Sequence, residues 1–428
     1  MPKKYLFSLL CLNLCITASW GLSTSLSRSD YSSTDSSELS VPFKLDNEKQ
    51  ETAPVIEHAL DVTERANTIQ KMLGRPGNST SPNCINCTEP EPDLRYMQCN
   101  SQNDYLEDGL SNELNSHHSP LGTILRMPLQ TPSIIKPACI RISMESRFNA
   151  NSRLFRECSA DGKQKTAFRP CISKNYFALV NNSFNVVSSC MKEFIAPGAS
   201  EETQNLDVRA VFALINVESG FHLNATSTTG AGGIGQFTNP AIQDVNINEL
   251  RDIRISLEGN PNRMCGEMSL NFLDSLEPIR TGLKNSCDRT SIENGNPVKN
   301  MIYTFAYLSG IKRDMDRMIF SDKNYKNKFA LSEYDLNKVK RALMIWSHNA
   351  GPAGTWTPVK SLLNTAYRGK KVTNPEKFIN EVQQYMQKFP ASANKSSSRR
   401  KETSKYFPAI TSTLKTIEEN VGGGSCVN

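Results

Sequence analysis

Between residues 174 and 390 apolar side chains recur at steps of three and four, and this spacing restricts that part of the chain to packed amphipathic helices. Phe177, Val180, Phe184, Val187, Met191 and Phe194 share one face of a first helix. Val208, Val211, Phe212 and Ile215 form the buried stripe of a second, with Asn205 as its expected cap and Glu218 at its C-terminal end. Val298, Ile302, Phe305 and Leu308 mark a third. A fourth, with Asp335 as expected cap, presents Leu336, Val339, Leu343 and Trp346. A fifth starts at Asn374 and Pro375 and faces Phe378, Val382, Tyr385 and Phe389 inward. The expected fold class is mainly α.

The remainder of the chain is organised differently. Residues 1–21 read as a signal peptide, with Lys3 and Lys4 ahead of an apolar run from Tyr5 to Thr17 and small residues at Ala18, Ser19 and Gly21. That run is too short to cross a bilayer as a mature helix. Leu10 and Leu14 precede Cys11 and Cys15, where an acylated cysteine needs a small residue, and no other stretch suits a span. The expectation is an exported chain, periplasmic or secreted, without stable membrane insertion. Setting Cys11 and Cys15 aside leaves ten of the 12 cysteines, an even number suited to disulfides in an oxidising compartment. Their connectivity is not readable from spacing. Cys84 and Cys87 have the spacing of a metal or redox pair, but no second pair matches them, so an ordinary disulfide is the preferred reading and no metal or cofactor is expected.

Residues 22–80 are polar and aperiodic and read as a disordered leader. Residues 81–172 hold six cysteines and read as a small disulfide-rich module of unknown role, preceding a helical domain over 173–390. Residues 391–428 carry Lys395, Arg399, Arg400, Lys401 and Lys405 before a Gly-rich stretch, and read as a basic, solvated tail. The formal net charge of +6 is too small on 428 residues to call for a nucleic-acid partner. Oligomeric state is not legible.

The chemistry concentrates between Glu218 and Gln236. A carboxylate stands where an apolar helix runs out, and Gly230, Gly232, Gly233 and Gly235 follow, positions where backbone can approach a ligand closely. Val217, Phe221 and Ile234 would strip water from the carboxyl group, which favours its protonated form. An acid that keeps its proton can protonate a leaving oxygen, the requirement for breaking a glycosidic bond. The plainer reading is a solvated Glu at a helix end beside glycines that simply turn the chain.

This stretch resembles the signature of soluble-type lytic transglycosylases, E-S-x-F followed by A-x-S-x-x-G-A-x-G and a Gln. Glu218, Ser219, Phe221, Ala225, Ser227, Gly230, Ala231, Gly233 and Gln236 match in register. Asn300 to Tyr307 and Leu308 resemble a second block, and His348-Asn349-Ala350-Gly351-Pro352 resembles a third, Y-N-A-G-P. The resemblance implies a lysozyme-like helical catalytic domain, related to goose-type lysozymes, acting on peptidoglycan glycan strands. It implies Glu218 as the single catalytic carboxylate, cutting between N-acetylmuramic acid and N-acetylglucosamine and closing a 1,6-anhydro ring. It implies that Ser227 and Gln236 hold the sugar and its acetamido group, and that Tyr307, His348, Asn349 and the Gly351 backbone line the cleft.

Several positions depart from that pattern. His348 stands where the family usually has Tyr, Ile234-Gly235-Gln236 stands for L-M-Q, and Thr304 stands for Gly. The stretch from Gln236 to Asn300 is long and holds Cys265 and Cys287, which could staple an inserted loop beside the cleft, and Glu267, a residue that could activate water although Glu is ordinarily just exposed. Trp346 sits at a core position, whereas Trp356 follows a Gly-rich turn and suits the cleft better. The sequons at Asn78, Asn86, Asn181 and Asn224 are read as incidental. Two alternatives stay open: a hydrolytic, lysozyme-like muramidase, and a non-catalytic peptidoglycan-binding protein.

Overall fold

Each periodic stripe becomes a helix in the computed structural model. It describes residues 119–127, 133–148, 156–158, 164–166, 174–223, 225–227, 230–274, 278–281, 296–388 and 397–428. The expected signal peptide, the leader, the cysteines Cys84, Cys87, Cys99, Cys171 and Cys287, and the sequons Asn78, Asn86 and Asn224 lie outside these residues. The helices are α1 (Pro120–Arg126), α2 (Pro137–Phe148), α3 (Lys174–Ile195), α4 (Glu201–Glu218), α5 (Asn239–Asp244), α6 (Leu250–Glu258) and α7 (Arg263–Ser269). They continue with α8 (Pro297–Met315), α9 (Glu333–Ala350), α10 (Pro352–Thr365), α11 (Pro375–Lys388) and α12 (Ser397–Asn420). The fold is mainly α and consistent with a lysozyme-like helical domain.

Caps explain where the helices that carry the site begin. Ser200, not Asn205, starts α4, its hydroxyl accepting a hydrogen bond from Thr203 N at 3.3 Å. Ser332, not Asp335, starts α9 in the same way, accepting from Asp335 N at 3.1 Å. In both cases a serine ahead of a carboxylate-rich first turn outcompetes the residue inside it, because that turn complements the helix dipole. Asn296 caps α8, and its Oδ1 accepts from Val298 N and Lys299 N.

Helix α3 lies at the centre, packed against α4 and α8. Phe184 from α3 meets Phe212 of α4 at 6.1 Å, Phe221 just after α4 at 5.8 Å and Phe305 of α8 at 6.1 Å. These rings are fully buried and hold the end of α4 in place. A buried charge cluster ties α4, α8 and α9: Asp207 accepts from Lys312 and, at 2.7 Å, from Arg341. Removing one partner of such a cluster leaves an uncompensated buried charge, at a cost of about 3–5 kcal/mol.

The core does not stop at residue 173. Leu121, Ile124, Ile135, Cys139, Ile140 and Met144 belong to the same buried cluster as the stripes of α3 and α4. A small antiparallel sheet adds a second link, with strand order β2-β1-β3, where β1 is Arg156–Cys158, β2 Gln164–Thr166 and β3 Ala225–Thr226. Glu157 pairs with Ala225 and Arg156 with Thr226.

The expectation of a solvated tail is corrected most sharply. Residues 397–420 are helix α12, and Tyr406, Ile410, Leu414 and Ile417 are buried in the core. Their spacing is helical, and the basic residues occupy the other positions. Trp346 takes its place against this helix: its Nε1 donates to Ser404 O at 3.3 Å and its ring meets Phe407 at 5.1 Å. The last turns of α12 and the residues after it are fastened three times. Cys426 forms a disulfide with Cys139, Val427 pairs as an antiparallel bridge with Ile135, and Glu418 takes a two-pronged pair from Arg209 at 2.8 and 2.5 Å.

The second disulfide takes one of the pairings that spacing left open. Cys265 joins Cys190, not Cys287, so α7 is pinned to α3. Glu267 on α7 is exposed and paired with Arg263 at 2.8 Å. Trp356 lies within α10 and packs half-buried against the core, because Pro352 begins that helix immediately after Gly351. Among the described residues no helix is long and apolar enough to cross a membrane.

Candidate active site

Glu218 is the last residue of α4, and its side chain is 4% exposed. What buries it is the turn that follows. Gly220 and Phe221 both adopt positive φ, at 58° and 65°, so the chain doubles back and places the Phe221 ring in the core. The strained conformation of a non-glycine residue is held by Tyr176, whose hydroxyl donates to Phe221 O at 2.5 Å.

The loop from Ala225 to Phe237 is closed by its own backbone. Ser227 N donates to Ala231 O at 2.8 Å, Gly233 N to Ala225 O at 2.9 Å, and Phe237 N to Gly232 O at 2.9 Å. Ser227 and Gln236 work within this closure. The Ser227 hydroxyl accepts from Ala231 N at 2.9 Å. Gln236, itself at φ 50°, donates both amide protons, to Ala225 O at 3.0 Å and Gly233 O at 2.8 Å. Its Oε1 is buried without a hydrogen-bond partner, so the capacity it retains is that of an acceptor.

Helix α8 supports the loop from below. Asn300 Oδ1 accepts from Gly235 N at 3.1 Å, and a Cβ on Gly233 would collide with the Asn300 amide. A Cβ on Gly235 would collide with Thr304 Oγ1 and the Phe237 ring. Two departures from the resembled pattern are therefore one exchange: the side chain absent at Gly235 makes room for the one present at Thr304, which is itself fixed to Asn300 O at 2.9 Å.

Two rings close over Glu218. His348, on the last turn of α9, brings Nδ1 to 3.5 Å from Glu218 Oε1 and Nε2 to 3.2 Å from Gly235 O. Tyr406 of α12 donates its hydroxyl to Glu218 Oε1 and stands 3.4 Å from His348 Nδ1. Burial pushes the Tyr406 phenol well above its ordinary range, and the charge of Glu218 and the hydrogen bond to it add to the effect. Tyr406 is thus a donor at any ordinary pH.

Tyr307 meets His348 edge-on at 6.0 Å and Phe237 at 6.3 Å, lining the same wall. Burial, followed by the charges of Asp244 and Asp314, pushes its phenol up to about 12. Asn349 is half-buried beside His348, and Gly351 turns the chain from α9 into α10 at φ 75°, which favours glycine. The structure thus brings Glu218, His348, Gly235 and Tyr307 together, and adds Tyr406. Sequence reasoning passed over Tyr406 because its basic neighbours masked the helical spacing of Tyr406, Ile410, Leu414 and Ile417.

The site thus joins a buried carboxyl at a helix end, a glycine loop packed on an asparagine-bearing helix, and a phenol and an imidazole set over the acid. Residues 196–261, which carry Glu218 and its loop, match the family model of the transglycosylase SLT domain. The match supports a domain of the soluble lytic transglycosylase type at these residues, and such a domain implies a peptidoglycan substrate. The match ends before Asn300, His348 and Tyr406, which the fold adds to the same site. Neither the comparison with curated proteins nor that with solved structures returned a match.

Proposed function

We propose that this protein cleaves peptidoglycan glycan strands between N-acetylmuramic acid and N-acetylglucosamine, with Glu218 as both acid and base. The observation that carries the reading is the buried Glu218 carboxyl, held by the Tyr406 hydroxyl and facing His348 at the mouth of the glycine loop. In a first step Glu218 gives its proton to the glycosidic oxygen, the bond from the muramic acid C1 breaks, and the acetamido group of the same sugar stabilises the electron-poor carbon. In a second step the C6 hydroxyl oxygen bonds to C1 and its proton returns to Glu218. The product is a 1,6-anhydro sugar, and no water is consumed. A single carboxylate suffices because the nucleophile belongs to the substrate, unlike the paired-carboxylate scheme of most glycosidases.

The other residues have roles that their hydrogen bonding supports. Tyr406 stabilises the carboxylate that forms when the proton leaves. Gln236 offers Oε1 to a sugar N–H, the acetamido group being the suitable donor. Ser227 holds the loop in shape through Ala231. Tyr307, Asn349 and the Gly351 backbone line the cleft. Export, by way of residues 1–21, places the chain in the periplasm or outside the cell, and the disulfides Cys139–Cys426 and Cys190–Cys265 suit an oxidising compartment.

The test is digestion of purified sacculi, with products read by mass spectrometry. Anhydro-muropeptides from the wild type, and none from a folded Glu218→Gln variant, are expected. Reducing ends that have gained a water would instead identify a hydrolase, and equal release by both proteins would remove Glu218 from the chemistry.

A further inference from the structure

We propose that His348 is a positioning residue that shares one proton with Glu218, so that the proton count of the pair, rather than of Glu218 alone, sets when the site is active. The inference rests on Glu218 being the acid and base. It starts from the contact between His348 Nε2 and Gly235 O at 3.2 Å. A carbonyl oxygen only accepts, so this contact fixes a proton on Nε2. In the neutral ring Nδ1 then carries a lone pair, and it is Nδ1 that faces Glu218 Oε1 at 3.5 Å and Tyr406 at 3.4 Å.

The single hydroxyl proton of Tyr406 is directed to Glu218 Oε1. With no further proton, a carboxylate oxygen and an imidazole lone pair would confront each other, in side chains only 4% and 6% exposed. One added proton removes the conflict. It sits on the carboxyl and points at Nδ1, or on Nδ1 and points at the carboxylate. Among the described residues, the groups that face His348 are Glu218 from α4, Tyr406 from α12, Tyr307 from α8 and the Gly235 carbonyl from the loop. Tyr307 and Tyr406 both hold their protons far into the alkaline range, so neither competes for the shared one.

Three states of the pair follow. With no shared proton there is no acid for the first step. With one, Glu218 protonates the leaving oxygen and then recovers a proton from the C6 hydroxyl beside a neutral imidazole. With two, the imidazolium remains beside the carboxylate after the first step and weakens it as the base of the second. Both limbs of the activity profile therefore belong to the pair. The tyrosine usual at this place in the resembled family would leave the acidic limb without its source.

The experiment compares wild type with His348→Gln, which retains an amide donor for Gly235 O, and with His348→Tyr. Initial rates on sacculi are measured between roughly pH 4 and 9. The wild type should give a bell, and both variants should keep the alkaline limb and lose the acidic one, with the maximum lowered about tenfold for His348→Gln. Identical bells in wild type and variants overturn the proposal. A second readout needs no substrate: ring 15N spectra of the full chain should show the neutral His348 protonated on Nε2, with Nδ1 shifting on Glu218→Gln. A neutral ring protonated on Nδ1, or a spectrum indifferent to Glu218→Gln, also overturns it. If wild type releases no muropeptide, the acid/base reading of Glu218 fails, while the nitrogen spectra still decide whether the pair shares a proton.

Discussion

Tyr406→Phe removes one oxygen atom from the site and leaves a ring of nearly the same shape in the core. The lost hydroxyl is the donor to Glu218 Oε1. While Glu218 carries its own proton the bond is between neutral groups, with a net worth of about 1 kcal/mol; once the proton leaves, the acceptor is a carboxylate and the bond is worth about 1.5–3 kcal/mol. The difference, about 0.5–2 kcal/mol, exists only as charge develops, so it acts on the barrier and not on substrate binding. At about 1.4 kcal/mol per tenfold, kcat/KM on sacculi should fall about 2- to 30-fold with KM little changed. Stability should change modestly because the Tyr406 ring stays packed, with a Tm loss of no more than about 4 °C. Clearance rates at equal protein concentration and a thermal scan measure both quantities. A wild-type rate at wild-type Tm would refute the argument, because it would show that the hydroxyl does not sense the charge on Glu218.

Three further outcomes are expected. Cys426→Ser, or a reductant, should lower stability by about 2–5 kcal/mol and reduce the rate as well, since α12 carries Tyr406; thermal scans with paired rate measurements check this. Gly235→Ala should weaken the loop by about 1–3 kcal/mol through overlap with Thr304 and Phe237, and adding Thr304→Gly should recover part of the loss, a coupling that denaturation of the single and double variants reads directly. Tyr303 and Tyr307, with phenols raised from 10.0 to about 12 chiefly by burial, contribute stability that is complete below about pH 10 and lost as pH rises towards 12, so the denaturation midpoint should fall over that interval and Tyr307→Phe should blunt the fall.

The helical stripes were legible because one buried face repeats: Val180, Phe184, Val187 and Met191 are all in the core, as are Val339, Leu343 and Trp346. The burial of Glu218 was legible from its apolar neighbours Val217, Phe221 and Ile234. Cap positions were less legible, since Ser200 and Asn205 are both suitable residues; two acids, Glu201 and Glu202, follow the first, and one, Asp207, follows the second. Pairings across long separations left no local trace. Cys190 finds Cys265 and Cys139 finds Cys426 through packing, and spacing alone offered Cys287 equally well. The Gly235 and Thr304 exchange looked like two independent changes until α8 was seen beneath the loop. Charge misled at α12: lysines and arginines suggested solvent, yet one face of the same segment holds Tyr406, Ile410 and Ile417 in the core.

The fastening of α12 has a consequence in time. Tyr406 follows Glu218 by 188 residues, and the bond that anchors its helix reaches back 287 residues to Cys139. A ribosome has therefore long since released the acid before it makes the phenol that completes it, and the closing cross-link waits for an oxidant. Under the proposed export, the chain passes through a reducing interior before that cross-link forms, and the site is completed only where thiols become disulfides.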